Sequence, residues 1–245
     1  MAGNDKSKGK DIVTNEDRNI SALKSGLKLI PGVGDSISQF VFGRQEEAES
    51  RRLRDSVQEI ADMVREQGRQ GEVKDTEEWA NLFTEAGPSV GKATNEDKRQ
   101  RFRDLLFNSL FIPPGDPMWE ESMYCLDQLK EIDPVGLYIL AAVALARRDE
   151  VEIGLSKFSR PARWLRVPKT MSGNIPNIAS HPEMLQPLAY NEVLVENAID
   201  VLLVKKQLIS TRDAMVTSGH SSTGISFYNL TPAGELLEKW TMAAF

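Results

Sequence analysis

Leu53, Val57, Ile60 and Val64 follow one another at spacings of four, three and four, with arginine and glutamate filling most positions between them. That period places a single apolar stripe on a charged helix over residues 44–68. Gly68 and Gly71 stop it. The stripe requires a cover, supplied by the same chain or by a second copy. A short segment around Trp79, Leu82 and Phe83 follows and ends at Gly87-Pro88, so residues 71–93 are expected to act as a linker.

From residue 94 the pattern predicts a helical body. Thr94 and Asp97 form a capping-box-like start, and Phe102, Leu105, Leu106, Ser109 and Leu110 mark a buried face. Pro113, Pro114 and Gly115 end that helix. Asp116-Pro117 and Asp133-Pro134 each pair a capping side chain with a proline suited to the first turn. Val135 to Ala146 is apolar on nearly all sides, which predicts a central core helix. Residues 149–180 are rich in Pro, Gly, Ser and Arg and read as a long irregular connection. Ser180-His181-Pro182-Glu183 looks like a further capping box. Asn191 to Gln207 is amphipathic through Val195, Ile199, Leu202 and Leu203. The alternating Ile225 to Leu230 predicts a strand. Thr231-Pro232 opens a last helix through Leu236, Leu237 and Trp240.

The stretch before residue 44 differs from the rest. Residues 1–19 are polar and charged and are expected to be a disordered tail. Residues 20–43 are apolar and rich in glycine, broken at Pro31-Gly32-Val33-Gly34. They predict two short helical pieces around a turn, an apolar hairpin or arm. With the charged helix, this arm makes a unit spanning 20–70, apart from the body at 94–245.

Composition narrows the function classes. Of 245 residues, 40% are hydrophobic, enough for a core, and the net charge of −6 disfavours broad contact with nucleic acid or anionic lipid. The single cysteine, Cys125, excludes an intramolecular disulfide and any multi-thiolate zinc site, and fits a reducing compartment. No signal-peptide pattern is seen, Ala2 rather than glycine follows Met1, and no run of 18 apolar residues is present. The expected location is cytoplasmic, with peripheral contact at the inner face of a membrane.

The order of elements after residue 118 resembles winged-helix domains: a helix pair, a longer helix, a strand pair around a loop, and a terminal helix opened by Leu230-Thr-Pro-Ala-Gly234. The resemblance covers residues 118–245. It implies that Asn191–Gln207 takes the recognition position and that residues 210–226 form the wing. The whole layout, a Pro-Gly-Val-Gly apolar segment joined to a charged helix and a compact helical domain, is similar to a class of bacterial proteins of poorly defined function. That likeness implies action at membranes or in defence.

Candidate sites are few. Leu27, Ile30, Val33, Ile37, Phe40, Val41 and Phe42 would contact a membrane or a second copy, with Lys24 and Lys28 facing anionic headgroups. The alternative is an arm packed on the chain's own body. Lys157, Arg160, Arg163, Arg166 and Lys169, interleaved with Phe158 and Trp164, are candidates for polyanion contact; they read equally well as a solvated loop whose aromatics pack inward. The Asn191–Gln207 helix carries Glu192, Glu196 and Asp200, which repel phosphates, so a scaffold or protein-contact role is favoured over a reading head. His181 and His220 form no zinc motif, and no Gly-x-Ser-x-Gly elbow is present. No cofactor is expected.

The expected fold is therefore mainly α, with a winged-helix-like C-terminal region and a small β wing. The expected function is that of a non-enzymatic interaction protein, self-associating or membrane-contacting through residues 20–43, with a protein partner or itself as ligand and nucleic acid behind them. The alternatives are a winged-helix DNA-binding regulator, a hydrolytic enzyme with an unrecognised site, and a pore-forming effector.

Overall fold

The structure, a computed structural model, describes residues 47–241 apart from 75, 157–160, 172–180 and 219–220. The expected tail and the arm 20–43 lie outside the described residues. What is described is a mainly helical fold with a small five-stranded open sheet in its C-terminal half.

Helix α1 (Glu47–Glu66) carries the stripe seen in the sequence: Leu53, Val57, Ile60, Ala61 and Val64 are buried. The cover comes from this chain, because α1 packs on α2 (Glu77–Lys92) and α3 (Glu96–Ser109). Residues 71–93, expected as a linker, thus hold a sixteen-residue helix whose Trp79, Leu82, Phe83, Ala86 and Val90 are buried. Thr76 caps it by accepting from Trp79 N at 3.1 Å, and the Trp79 indole donates to Leu106 O at 3.0 Å. Pro88 does not end this helix. It removes one donor to the carbonyl of Thr84, and Thr84 lies on the exposed side of the helix, where that loss costs little.

Helix α3 starts one residue later than expected: Asn95, not Thr94, is the cap and accepts from Lys98 N at 2.9 Å. Helices α4 (Met118–Glu131) and α5 (Pro134–Arg148) start where the two Asp-Pro pairs place them. Asp133 Oδ1 accepts from Gly136 N at 2.6 Å. The near-uniform apolarity of α5 follows from its position between the helices and the sheet, where it packs against β1, β5, α3, α6 and α7.

Two strands occupy the region expected to be irregular, β1 (Val151–Ser156) and β2 (Arg163–Pro168). With β3 (Leu185–Pro187), β4 (Ile209–Ser218) and β5 (Ser221–Leu230) they form an antiparallel sheet in the order β3-β2-β1-β5-β4. The strand component is therefore larger than the expected wing. Trp164 belongs to the main core on one face, while Leu165, Val167, Ile225 and Phe227 form a second cluster on the other. A strand buried on both faces shows no alternation, and this hid β2 in the sequence. The expected capping box at 180–183 leads only into one 3₁₀ turn, Pro182–Met184.

Helix α6 (Glu192–Asp200) is capped by Asn191 and continues as a π turn, Val201–Lys205. Helices α5 and α6 are each followed by a non-glycine residue in the left-handed region, Glu150 at φ 55° and Gln207 at φ 53°, which turns the chain toward the sheet. Helix α7 (Pro232–Thr241) closes the body. One buried cluster runs from Leu53 to Trp240 and includes residues of every described α-helix.

Candidate functional site

The described members of the basic series at 157–169 are spread over a strand and a turn. Lys157 and Arg160 lie outside the described residues. Arg163 and Arg166 both stand on β2, three positions apart, and an odd separation sends strand side chains to opposite faces. Arg166 is held by Asp149 at 2.6 Å and reaches Gln186 at 3.4 Å. Lys169 lies beyond the strand, in the 3₁₀ turn Lys169–Met171. Phe158 is outside the described residues, but Trp164 packs inward as expected, its indole donating to the Tyr138 hydroxyl at 2.7 Å. Of the basic residues further along, Lys206 pairs with Glu131 and Arg212 with Glu152, while Arg212 also stands over the Phe227 ring; Lys205 is exposed. Such exposed pairs add little stability, but each lowers the positive potential available to a polyanion.

Helix α6 has the opposite character. Val195, Ala198 and Ile199 face the core. The outward side carries Val193, Asn197, Asp200 and Val204, at spacings of four, three and four, with Leu194 beside them. Val193, Leu194 and Val204 are 61%, 51% and 75% exposed, so the outward side of this helix is apolar and acidic rather than basic. The π turn contributes, because Lys206 N bonds to Val201 O at 3.0 Å and the wider turn leaves Val204 outside while Leu202 stays buried. The sequence reading tracked the buried stripe of this helix and missed its exposed valines and leucine; they are visible as the apolar residues left over once the core face is assigned.

Cys125 is poorly placed for covalent chemistry. The Cys125 thiol is fully buried and pushed up to about 12, first by burial and then by Glu121. It is therefore protonated and shielded at neutral pH. His181 pairs with Glu183 at 2.9 Å on the surface, and His220 lies outside the described residues. Among the described residues no cluster of three or more His, Cys, Asp or Glu side chains could hold a metal ion, and no helix is long and apolar enough to cross a membrane.

The body holds a cavity of about 530 Å³ between α3, α5, the turn at 189–190 and the end of α7. Asp97, Gln100, Arg101 and Asp104 of α3 line one wall, and Leu137, Tyr138 and Ala141 of α5 line another. Its size is that of a small-molecule site. It is not legible from residue spacing, since the α3 residues involved look like an ordinary solvated face. No family model, curated protein or solved structure matches the chain.

Proposed function

We propose that this chain is a non-enzymatic interaction protein whose body binds a protein partner through the outward side of α6, and whose segment 20–43 mediates self-association or contact with an anionic membrane surface. The observation that carries the first half is the exposure of Val193, Leu194 and Val204 on one helix. Apolar side chains gathered on a helix face are the usual anchors of helix-mediated recognition. The second half rests on sequence, on the apolar run holding Leu27, Ile30, Val33, Ile37, Phe40, Val41 and Phe42. It is strengthened indirectly: the stripe of α1 is covered within the chain, so α1 is not the element left to pair.

In our reading the C-terminal region is winged-helix-like. Helix α6, the hairpin β4–β5 and α7 follow in that order, and β1 lies beside β5, with β2 and β3 as additional strands. Helix α6 then holds the recognition position, but offers Asn197 and Asp200 between valines. Base edges and phosphates are read by Arg, Lys, Asn and Gln, and an acidic, apolar face serves them badly. The pairing of Arg166, Lys206 and Arg212 with carboxylates counts against a DNA-binding regulator in the same way.

Sedimentation velocity on the full chain tests both halves, with Ile37→Asp/Phe40→Asp and Val193→Asp/Val204→Asp as variants, in parallel with flotation on neutral and anionic liposomes. Self-association or anionic-specific flotation that disappears in the first variant supports the arm. Assembly lost in the second variant makes α6 the contact between copies. A monomer that floats with neither lipid removes the arm from the proposal. The α6 face is then tested by cross-linking from a photoreactive residue at position 197; capture of no protein at that position removes the α6 half as well.

A further inference from the structure

The cavity between α3 and α5 carries a more specific inference, independent of the α6 face. Asp97, Arg101 and Asp104 lie at i, i+4 and i+7 on α3 and so share one side of that helix, the side that lines the cavity. Arg101 is half-buried. Its one hydrogen bond among the described residues is a long one, from Nη1 to Thr241 Oγ1 at 3.3 Å. A guanidinium has five N–H donors, so among the described residues most of its capacity is unspent. Burial holds it below its usual pKa, opposed by the carboxylates of Asp104, Asp97 and Glu238. The Tyr138 hydroxyl presents a second donor. It accepts from Trp164 Nε1 at 2.7 Å and from Ala189 N at 3.2 Å, and its own hydrogen has no acceptor among the described residues.

The acceptors differ in their freedom. Asp104 is buried and bonded to Gln100 Nε2 at 2.8 Å, whereas Asp97 is exposed at the rim. The remaining wall is apolar and aromatic: Leu137, Ala141, Ala189 and the edge-to-face pair Tyr138–Tyr190, with centroids 5.3 Å apart.

A simple anion would meet Arg101 but be repelled by Asp97, Asp104 and Glu238. A simple cation would meet Asp97 but be repelled by Arg101. A ligand bearing both charges on neighbouring atoms, with an apolar remainder, satisfies all three parts of the wall. The geometry points to a binding site for a free α-amino acid with an apolar or aromatic side chain, its carboxylate on Arg101 and Tyr138, its ammonium on Asp97, and its side chain against Leu137, Ala141 and Tyr190. Residues one turn apart on a helix have Cβ atoms about 5–6 Å apart, close enough for one amino acid to bridge Asp97 and Arg101.

The test is titration calorimetry of the full chain with L-phenylalanine, 3-phenylpropanoate and phenethylamine, which share the ring and differ in the charges they carry. L-Phenylalanine is expected to bind, and each analogue to bind about tenfold more weakly, the effect of losing one charge-assisted hydrogen bond. Asp97→Asn alters an exposed position and should not disturb folding. It should weaken L-phenylalanine and leave 3-phenylpropanoate unchanged or improved, so that the preference between them collapses. Arg101→Gln should do the reverse, weakening L-phenylalanine and sparing phenethylamine, with circular dichroism checking the fold. Absence of L-phenylalanine binding at millimolar concentration, equal binding of all three probes, or an unchanged preference in Asp97→Asn would each overturn the assignment.

Discussion

Replacing Gly234 by alanine tests how closely α7 is docked on the chain that leads into β4. A Cβ built at Gly234 falls 2.1 Å from the carbonyl oxygen of Leu208, 3.1 Å from its carbon and 3.2 Å from Leu230 Cδ2. Real contacts of this kind stay beyond 3.0 Å, so the backbone at Leu208 must retreat by about 1 Å, at an overpacking cost of about 1–3 kcal/mol. That same oxygen accepts from Thr231 N at 3.1 Å, and Thr231 Oγ1 in turn accepts from Gly234 N at 3.2 Å and donates to Gln207 O at 2.6 Å. Losing the Leu208 bond adds about 1 kcal/mol, and the better helix propensity of alanine returns about 1 kcal/mol. The net expectation is destabilisation by about 2 kcal/mol, which for a body of this size lowers Tm by about 4–8 °C. Urea unfolding followed by circular dichroism measures it, with Gly71→Ala as the control, because a Cβ there has nothing within 4 Å. A Gly234→Ala protein within about 0.5 kcal/mol of the parent, the range of ordinary surface changes, would refute the reasoning.

Further expectations follow from the same geometry. Gln207→Gly relieves a left-handed backbone at a helix end and should raise stability by about 0.5–1 kcal/mol in the same urea assay; a loss would mean that the Gln207 side chain matters more than its φ. Trp79→Ala empties a fully buried site and leaves Leu106 O without its donor, so a loss of about 3–5 kcal/mol is expected, and a soluble variant with unchanged urea midpoint would contradict it. Cys125 should be silent to a thiol reagent in the native protein at mildly alkaline pH and react fully in urea, as its burial requires. Glu96 is held below its ordinary value of 4.5, chiefly by the hydrogen bond from Arg99 and also by Arg103. A carboxyl depressed in the folded state contributes stability above its unfolded pKa and loses it as pH falls through the folded one. Glu96→Gln should therefore flatten stability against pH below about 4.5, and an unchanged acid limb would refute it.

How much could be read from the sequence depended on how each element is buried. The α1 stripe and the two Asp-Pro helix starts were legible because each rests on local spacing or capping chemistry. Helix α2 was cut short because Pro88 and its glycine neighbour read as a stop; the carbonyl that Pro88 deprives belongs to an exposed residue, where the cost is small. Strands β1 and β2 were hidden in a stretch that looks like loop, since Gly154 interrupts one, and Trp164 and Leu165 are buried on opposite faces of the other. Gly154 is there for a reason the sequence does not show: a Cβ would lie 2.8 Å from Ser226 O on the neighbouring strand. The basic series at 157–169 suggests a patch because every third residue is Lys or Arg; of its members, Arg163 and Arg166 stand on β2, where an odd separation alternates faces. The cavity was illegible because Asp97, Arg101 and Tyr138 meet only once α3 and α5 are packed.

The attachment of α1 has a mechanical consequence. Leu53, Val57, Ile60 and Val64 are locked into the core, Arg52 Nε donates to Gly91 O at 2.6 Å, and Arg103 of α3 pairs with Glu59. Helix α1 is therefore a rod bolted to the body along its length. Any tension applied at the N-terminal end of α1 must shear it against α2 and α3 before the rod can slide. Arg52 and Leu53 stand near that end, so the body registers a pull on α1 at its own core.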